Sequence, residues 1–134
     1  MALPPKTHVL VVDDNQSDRL IVRRLLEKLG FIDVQLAEDG SIAESKIENA
    51  EKINRPFQLI IIDWNMPGMN GIKLLQNIRK MKLTKTAKII MMTATAEVDV
   101  VETAVASGVN DFIVKPVIGS ILKEKLTKLF AEGS

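Results

Sequence analysis

The chain contains no cysteine, which removes thiol nucleophiles, thiolate metal sites and any disulfide framework. A cysteine-free sequence suits a reducing compartment, and a cytoplasmic location is expected. Neither charge sign is in excess. Eighteen basic residues face 17 acidic ones across 134 residues, a net charge of +1. That balance supplies no field to draw in a polyanion, so no nucleic acid and no membrane is expected as partner. The apolar runs are short, far below the roughly 20 residues a membrane-spanning helix needs. The opening Met1-Ala2-Leu3-Pro4-Pro5-Lys6 has no hydrophobic signal segment, so export is not expected. There is one tryptophan, Trp64, and one histidine, His8. His8 opens a strand-like run with no ligand-type neighbours and reads as structural. There is no repeat, low-complexity tract or linker. A single domain over 1–134 is expected, its core at about 7–131, with no attached output domain.

Strand-like runs alternate with helix-like patterns from end to end, the sequence sign of βαβ units. His8-Val9-Leu10-Val11-Val12 is a first strand. Ser17 can cap a helix in which Ile21, Val22, Leu25, Leu26 and Leu29 recur at three and four residues, with Gly30 as its stop. Arg19, Arg23, Arg24, Glu27 and Lys28 take the polar face. Val34-Gln35-Leu36-Ala37 alternates, as an edge strand does. A helix over about 41–49 follows, with Ala43, Ile47 and Ala50 inward. Leu59-Ile60-Ile61-Ile62 is a third strand, and the next helix has Ile72, Leu75, Ile78 and Met81 in register. Ile89-Ile90-Met91-Met92 is a fourth strand. The helix over about 98–107 carries only Val101, Ala104 and Val105, thin packing that points to a mobile element. Phe112-Ile113-Val114 is a fifth strand, and Ile118, Ile121, Leu122, Leu126, Leu129 and Phe130 give the last helix its apolar face. Right-handed crossovers with the second strand at an edge predict the order 2-1-3-4-5. This is a flavodoxin-like, doubly wound five-stranded parallel sheet flanked by five helices.

Four of these strands stop at a chemically potent residue: Asp13-Asp14, Asp63, Thr93 and Lys115. In one parallel sheet, all four stops lie at the carboxyl edge, where open α/β sheets bind ligands. Crowded carboxylates there repel one another unless a cation sits among them, and hard oxygen ligands with room for water suit Mg²⁺. Asp63 ends an aliphatic strand and is held rigidly, as a carboxylate that accepts a phosphoryl group must be. Thr93 can bond a phosphoryl oxygen, and Lys115 can neutralise its charge. A cis bond between Lys115 and Pro116 would turn the lysine inward.

Asp13-Asp14, Asp63-Trp64-Asn65-Met66-Pro67-Gly68-Met69-Asn70-Gly71, Thr93-Ala94 and Lys115-Pro116, in this order, resemble the response-regulator receiver domain. The likeness covers essentially the whole chain, and the Asp63-Pro67 stretch is most like the single-domain chemotaxis (CheY-like) regulators. The resemblance implies a two-component phosphorelay protein. In it, Asp63 takes a phosphoryl group from a sensor histidine kinase. Mg²⁺ is held by Asp13, Asp14, Asp63 and the backbone carbonyl of Asn65. Lys115 pairs with the acyl phosphate, and Thr93 and Phe112 are the switch. The face of the fourth helix, fifth strand and fifth helix then changes its affinity for a protein target such as the flagellar motor switch. Such a protein is expected to be a monomer, and to catalyse only its own phosphorylation and dephosphorylation. The chain departs from these regulators in carrying Phe112 where tyrosine is common, and Thr95-Ala96-Glu97-Val98-Asp99 after Thr93-Ala94. Thr95 and Asn65 stand where the family tunes self-dephosphorylation.

A phosphorelay shuttle or phosphate sink would use the same chemistry, as would a receiver excised from a hybrid histidine kinase. Met1-Ala2 and a complete fifth helix favour a stand-alone protein. A haloacid-dehalogenase-type phosphatase needs a second aspartate two residues after the nucleophile, and Asn65 stands there. The loop Asp13-Asp14-Asn15-Gln16-Ser17 is acidic and lacks glycine, so it would repel a flavin phosphate rather than cradle it. Trp64, next to the acceptor, is expected to be partly exposed and without a chemical duty. Met66 and Met69 could line a partner groove. Lys80, Lys82, Lys85 and Lys88 read as a solvated face, and so do Lys123, Lys125 and Lys128.

Overall fold

Aliphatic runs that are apolar on both faces must be covered on both faces, and a parallel sheet between two layers of helices does this. The computed structural model, which describes residues 6–64, 71–81, 87–94 and 98–132, has that architecture. The elements run β1 (His8–Val12), α1 (Gln16–Lys28), β2 (Asp33–Ala37), α2 (Gly40–Lys52), β3 (Leu59–Asp63), α3 (Gly71–Lys80), β4 (Lys88–Thr93), α4 (Val98–Ala106), β5 (Asp111–Val114) and α5 (Gly119–Glu132). All strand pairings are parallel, in the expected order β2-β1-β3-β4-β5.

The strands divide their side chains evenly between two cores. Leu10, Val12, Ile60, Ile62, Ile89 and Met91 face α2, α3 and α4, where Ala43, Ile47, Leu75, Ile78 and Ala104 meet them. Val9, Val11, Leu59, Ile61, Ile90 and Met92 face α1 and α5, against Val22, Leu26, Leu122, Leu126 and Leu129. Leu10, Ile60 and Ile62 are fully buried. Truncating any of them to alanine removes buried methyl groups and leaves a cavity, a loss of roughly 2–5 kcal/mol.

The helix ends and faces differ from expectation in three places. The cap of α1 is Asn15, not Ser17, because the Asn15 side chain accepts from the Asp18 amide while Ser17 is already inside the first turn. Ile21 and Ile121 lie in the apolar stripes of α1 and α5, and Ile118 falls just before α5 rather than in it, yet Ile21, Ile118 and Ile121 are 49%, 51% and 41% exposed. The two helices bury the centres of their stripes on the sheet and leave these flanks in solvent. Val105 on α4 is exposed in the same way. The α2 positions Ala43, Ile47 and Ala50 are buried as expected, and Gly30 follows α1 with φ +104°.

Two side chains close the structure away from the strand ends. His8 is stacked on Phe57 with ring centroids 3.9 Å apart. Its Nδ1–H is donated to the Arg55 carbonyl at 3.0 Å, which leaves Nε2 to accept from the Gln35 amide at 3.2 Å. Both ring nitrogens are thereby satisfied, and the histidine is structural. Arg79, at the end of α3, donates to the carbonyl of Gly108 beyond α4 (2.6 Å), to the carbonyl of Ala87 before β4 (2.7 Å) and to the Asn110 side chain (2.9 Å). Burial lowers the pKa of its guanidinium below the ordinary arginine value.

Candidate functional site

Register sets the site. Val12 pairs with Ile62, so the next residue of each chain, Asp13 and Asp63, leaves the sheet at the same level. Asp63 in turn pairs with Met92, and Thr93 with Val114, which places Thr93 one step and Lys115 two steps further along the same edge. The residues singled out on four separate strand ends are therefore neighbours in space.

Asp13 is fully buried and Asp63 is 6% exposed, whereas Asp14 is exposed. One carboxylate oxygen from each of the three lies within 4.8 Å of those of the other two. Three anions at such spacing, two of them out of water, need a cation. A set of hard oxygen donors with one open side fits Mg²⁺. Asn65, Met66, Met69 and Thr95 lie outside the described residues.

Lys115 supplies the cation of the protein itself. It follows β5, its peptide bond to Pro116 is cis, and its amide donates to the Thr93 carbonyl at 2.7 Å. Its Nζ donates to Asp13 Oδ2 at 2.8 Å and to Asp18 Oδ2 at 3.1 Å, and lies 3.5 Å from Asp63 Oδ2. Burial alone would lower the pKa of this ammonium. The hydrogen bonds to Asp13 and Asp18 and the charges of Asp13 and Asp63 outweigh it, and hold the group above the usual lysine range. A cation with a raised folded-state pKa contributes stability that is complete below its unfolded value of about 10.4 and fades as pH rises through the folded value. The stability difference between the wild-type protein and Lys115→Ala is thus expected to be flat from about pH 6 to 9 and to shrink above about pH 10, as read by urea midpoints.

Thr93 is 1% exposed at the end of β4. Phe112, on β5, is partly buried against the α2–α3–α4 core, and Lys125 Nζ stands 5.4 Å from its ring centroid. Lys125 is not a purely solvated lysine, since its Nζ also donates to Asp111 Oδ1 at 2.9 Å. Trp64 packs partly buried beside Asp63, and its amide donates to the Met92 carbonyl at 2.8 Å.

Two contributors escaped the sequence reading. Asp18 meets Lys115, and Arg19, assigned there to the solvent face, donates from Nη1 to the Asp13 carbonyl at 2.6 Å. Their only sequence signal is position, one helical turn beyond the Asp13-Asp14 pair.

Gly71 keeps Asp63 in place from the other side. Its amide donates to the Trp64 carbonyl at 3.0 Å, and a Cβ on it would stand 2.6 Å from the Asp63 backbone oxygen and 3.0 Å from Trp64 Cα. Backbone cannot give way as a flexible side chain can. Gly71→Ala is expected to cost about 1–3 kcal/mol, seen as a lower urea midpoint with an unchanged slope.

Comparison with known proteins agrees with this geometry. The response regulator receiver domain family matches residues 9–127. Chemotaxis protein CheY-3 of Vibrio cholerae serotype O1 is 43% identical over 122 residues, covering 91% of this chain and 90% of that protein. The structure of Vibrio cholerae chemotaxis protein CheY4, crystallised at low pH, superposes with a TM-score of 0.83 at 31% identity, over 92% of this chain and 98% of that one. The CheX–CheY–BeF₃–Mg²⁺ complex from Borrelia burgdorferi contains a chain that superposes with a TM-score of 0.83 at 28% identity, over 92% of this chain and 89% of that one. No helix among the described residues is long and apolar enough to cross a membrane. Sheet order, acidic edge and sequence likeness converge, and the chain belongs to the response regulator receiver domain family, with its curated relatives among the CheY-type chemotaxis proteins.

Proposed function

We propose that this protein is a phosphorylation-controlled binding switch, which accepts a phosphoryl group on Asp63 from the phosphohistidine of a sensor histidine kinase. The observation that carries this reading is the convergence of Asp13, Asp14 and Asp63 within 4.8 Å, with the Lys115 ammonium 3.5 Å from Asp63. In the transfer, an Asp63 carboxylate oxygen forms the new bond to phosphorus. The bond from phosphorus to the imidazole nitrogen breaks, and its electron pair leaves with the imidazole. Bound Mg²⁺, held by Asp13, Asp14, Asp63 and the backbone carbonyl of Asn65, would supply charge neutralisation at the phosphoryl oxygens. Lys115 orients and neutralises the acyl phosphate, and the Thr93 hydroxyl bonds one of its oxygens. The protein acts on no substrate but its own phosphoryl group.

Output follows from rearrangement of Thr93 and Phe112, which alters the face made by α4, β5 and α5. That face carries the exposed Val105, Lys123 and Lys128. A tenfold shift in population requires only about 1.4 kcal/mol of differential stabilisation. A role in chemotaxis rests on the likeness to the CheY-type proteins. The Borrelia CheY bound to CheX with BeF₃ and Mg²⁺ makes a beryllofluoride-activated form a reasonable state to prepare here.

The testing experiment titrates the amino-terminal peptide of a flagellar motor switch protein into the monomeric protein, with and without Mg²⁺ and beryllofluoride, following Trp64 fluorescence. The expected result is a Mg²⁺-dependent response to beryllofluoride, followed by tighter peptide binding to the activated form. Activation without peptide binding would move the protein to the phosphorelay shuttle or sink reading, in which the phosphoryl group passes on and no motor target is engaged. No response to beryllofluoride at any Mg²⁺ concentration would overturn the switch itself.

A further inference from the structure

The Lys115 ammonium has three N–H donors, and three carboxylates stand around it: Asp13 at 2.8 Å, Asp18 at 3.1 Å and Asp63 at 3.5 Å. Asp13 and Asp63 also belong to the cluster that fits a divalent cation; Asp18 does not. It sits in the first turn of α1 with its side chain 40% exposed, and among the described residues its carboxylate is paired with Lys115. We infer that Asp18 is a positioning residue that competes with the phosphoryl group for Lys115, so that the Asp18–Lys115 contact is made at rest and given up on activation.

The inference rests on the phosphoacceptor reading of Asp63. A phosphoryl group on Asp63 brings a charge near −2 and strong acceptor oxygens to a lysine that already donates hydrogen bonds to Asp13 and Asp18. As the ammonium is drawn toward those oxygens, the weaker of the two hydrogen bonds is the one given up. Asp13 is fully buried and bonded at the shorter distance, so its hold on the lysine is the stronger of the two. Asp18 is open to water, which solvates it once the lysine departs. Beside the lysine stem lies a cavity of about 160 Å³, walled by Ile21, Val22, Met92 and Val117, with Asp18 and Lys115 on its lining. That space lets the stem change rotamer without displacing core side chains. A contact present in one state only biases the equilibrium toward that state, so Asp18 holds the protein at rest.

The experiment measures beryllofluoride affinity in saturating Mg²⁺, by Trp64 fluorescence, for the wild-type protein, Asp18→Ala, Lys115→Ala and the double variant. Asp18→Ala is expected to bind beryllofluoride three- to tenfold tighter than wild type. In the Lys115→Ala background the same change is expected to shift affinity less than 1.5-fold, since the competition needs the lysine. Lys115→Gln serves as the background if Lys115→Ala does not fold. An equal gain in both backgrounds would assign the effect to charge acting through space and overturn the inference, as would no gain in either. In metal-free protein, the Lys115 ε-amine, mapped by mass spectrometry after limited acylation, is expected to react at least threefold faster in Asp18→Ala. An unchanged rate also overturns it. Failure of the wild-type protein to bind beryllofluoride is a different result, which sinks the phosphoacceptor reading and this inference with it.

Discussion

Asp63→Asn is expected to lower phosphoryl acceptance from acetyl phosphate by at least about 100-fold while leaving the fold intact. The side chain it replaces is 6% exposed at the end of a strand whose residues are all buried, so its place in space is fixed by the sheet. Asparagine keeps the shape and loses the anionic oxygen that the proposed transfer requires. Its amide group can also turn an N–H toward the Lys115 ammonium 3.5 Å away, where the carboxylate had been an acceptor. Stability should not fall with activity. Three carboxylates within 4.8 Å repel when no metal is present, and removing one relieves that repulsion. The urea midpoint in chelator is therefore expected to be equal to or above wild type, and the rise produced by Mg²⁺ to be smaller. Labelling and mass-spectrometric mapping of the acyl phosphate check the first part. Undiminished label in Asp63→Asn would place the acceptor elsewhere.

Among the charged residues of the site, the largest stability effect is expected from Lys115→Ala. Asp13 has no exposed surface, and apart from Lys115 its side chain is held by the Asn15 amide at 2.9 Å. Breaking a buried pair by deleting one partner commonly costs about 3–5 kcal/mol, because a buried charge is left uncompensated. Lys115 itself is 21% exposed, so water can reach part of the space it leaves. A loss of about 2–3 kcal/mol is expected in chelator. Divalent metal should recover much of it, since a cation at the same carboxylates restores the missing charge. By linkage, the variant should then bind Mg²⁺ more tightly than wild type and gain more stability from it. Urea titrations of both proteins, in chelator and in saturating Mg²⁺, separate the two contributions. Equal metal-dependent gains in the two proteins would mean that lysine and metal do not share the Asp13–Asp63 charge.

Much of this arrangement was legible in the sequence, for identifiable reasons. The runs Val9–Val12, Leu59–Ile62 and Ile89–Met92 are apolar at every position, and only strands covered on both sides carry such runs, so their central place in the sheet could be read directly. The handedness of crossovers did the rest for strand order, and order alone brought Asp13, Asp63, Thr93 and Lys115 to one edge. What stayed hidden depends on contacts distant in the chain. A helical stripe shows which side of α1 or α5 is apolar, but not how far the sheet extends beneath it, and hence Ile21, Ile118 and Ile121 were assigned to the core. Asp18 and Lys115 are 97 residues apart. Arg79 reaches carbonyls on two other connections. In each case residue type fitted a solvated helix face equally well, and only the folded chain distinguishes the two. Asn15 displaced Ser17 as cap because two good caps stood close together, and backbone geometry chose the earlier one.

Each of the three central strands gives alternate residues to opposite cores, so a shift of one position would exchange every side chain between two cavities of different shape. Sequence change is thereby confined to a narrow part of the molecule. The strands and their terminal acids form a block that can drift only slowly, while the outward faces of α1, α4 and α5 can be rewritten without disturbing it. A gene encoding this scaffold can be duplicated and the copies diverge in what they recognise, each inheriting the same acidic strand-end site at no further evolutionary risk to the fold.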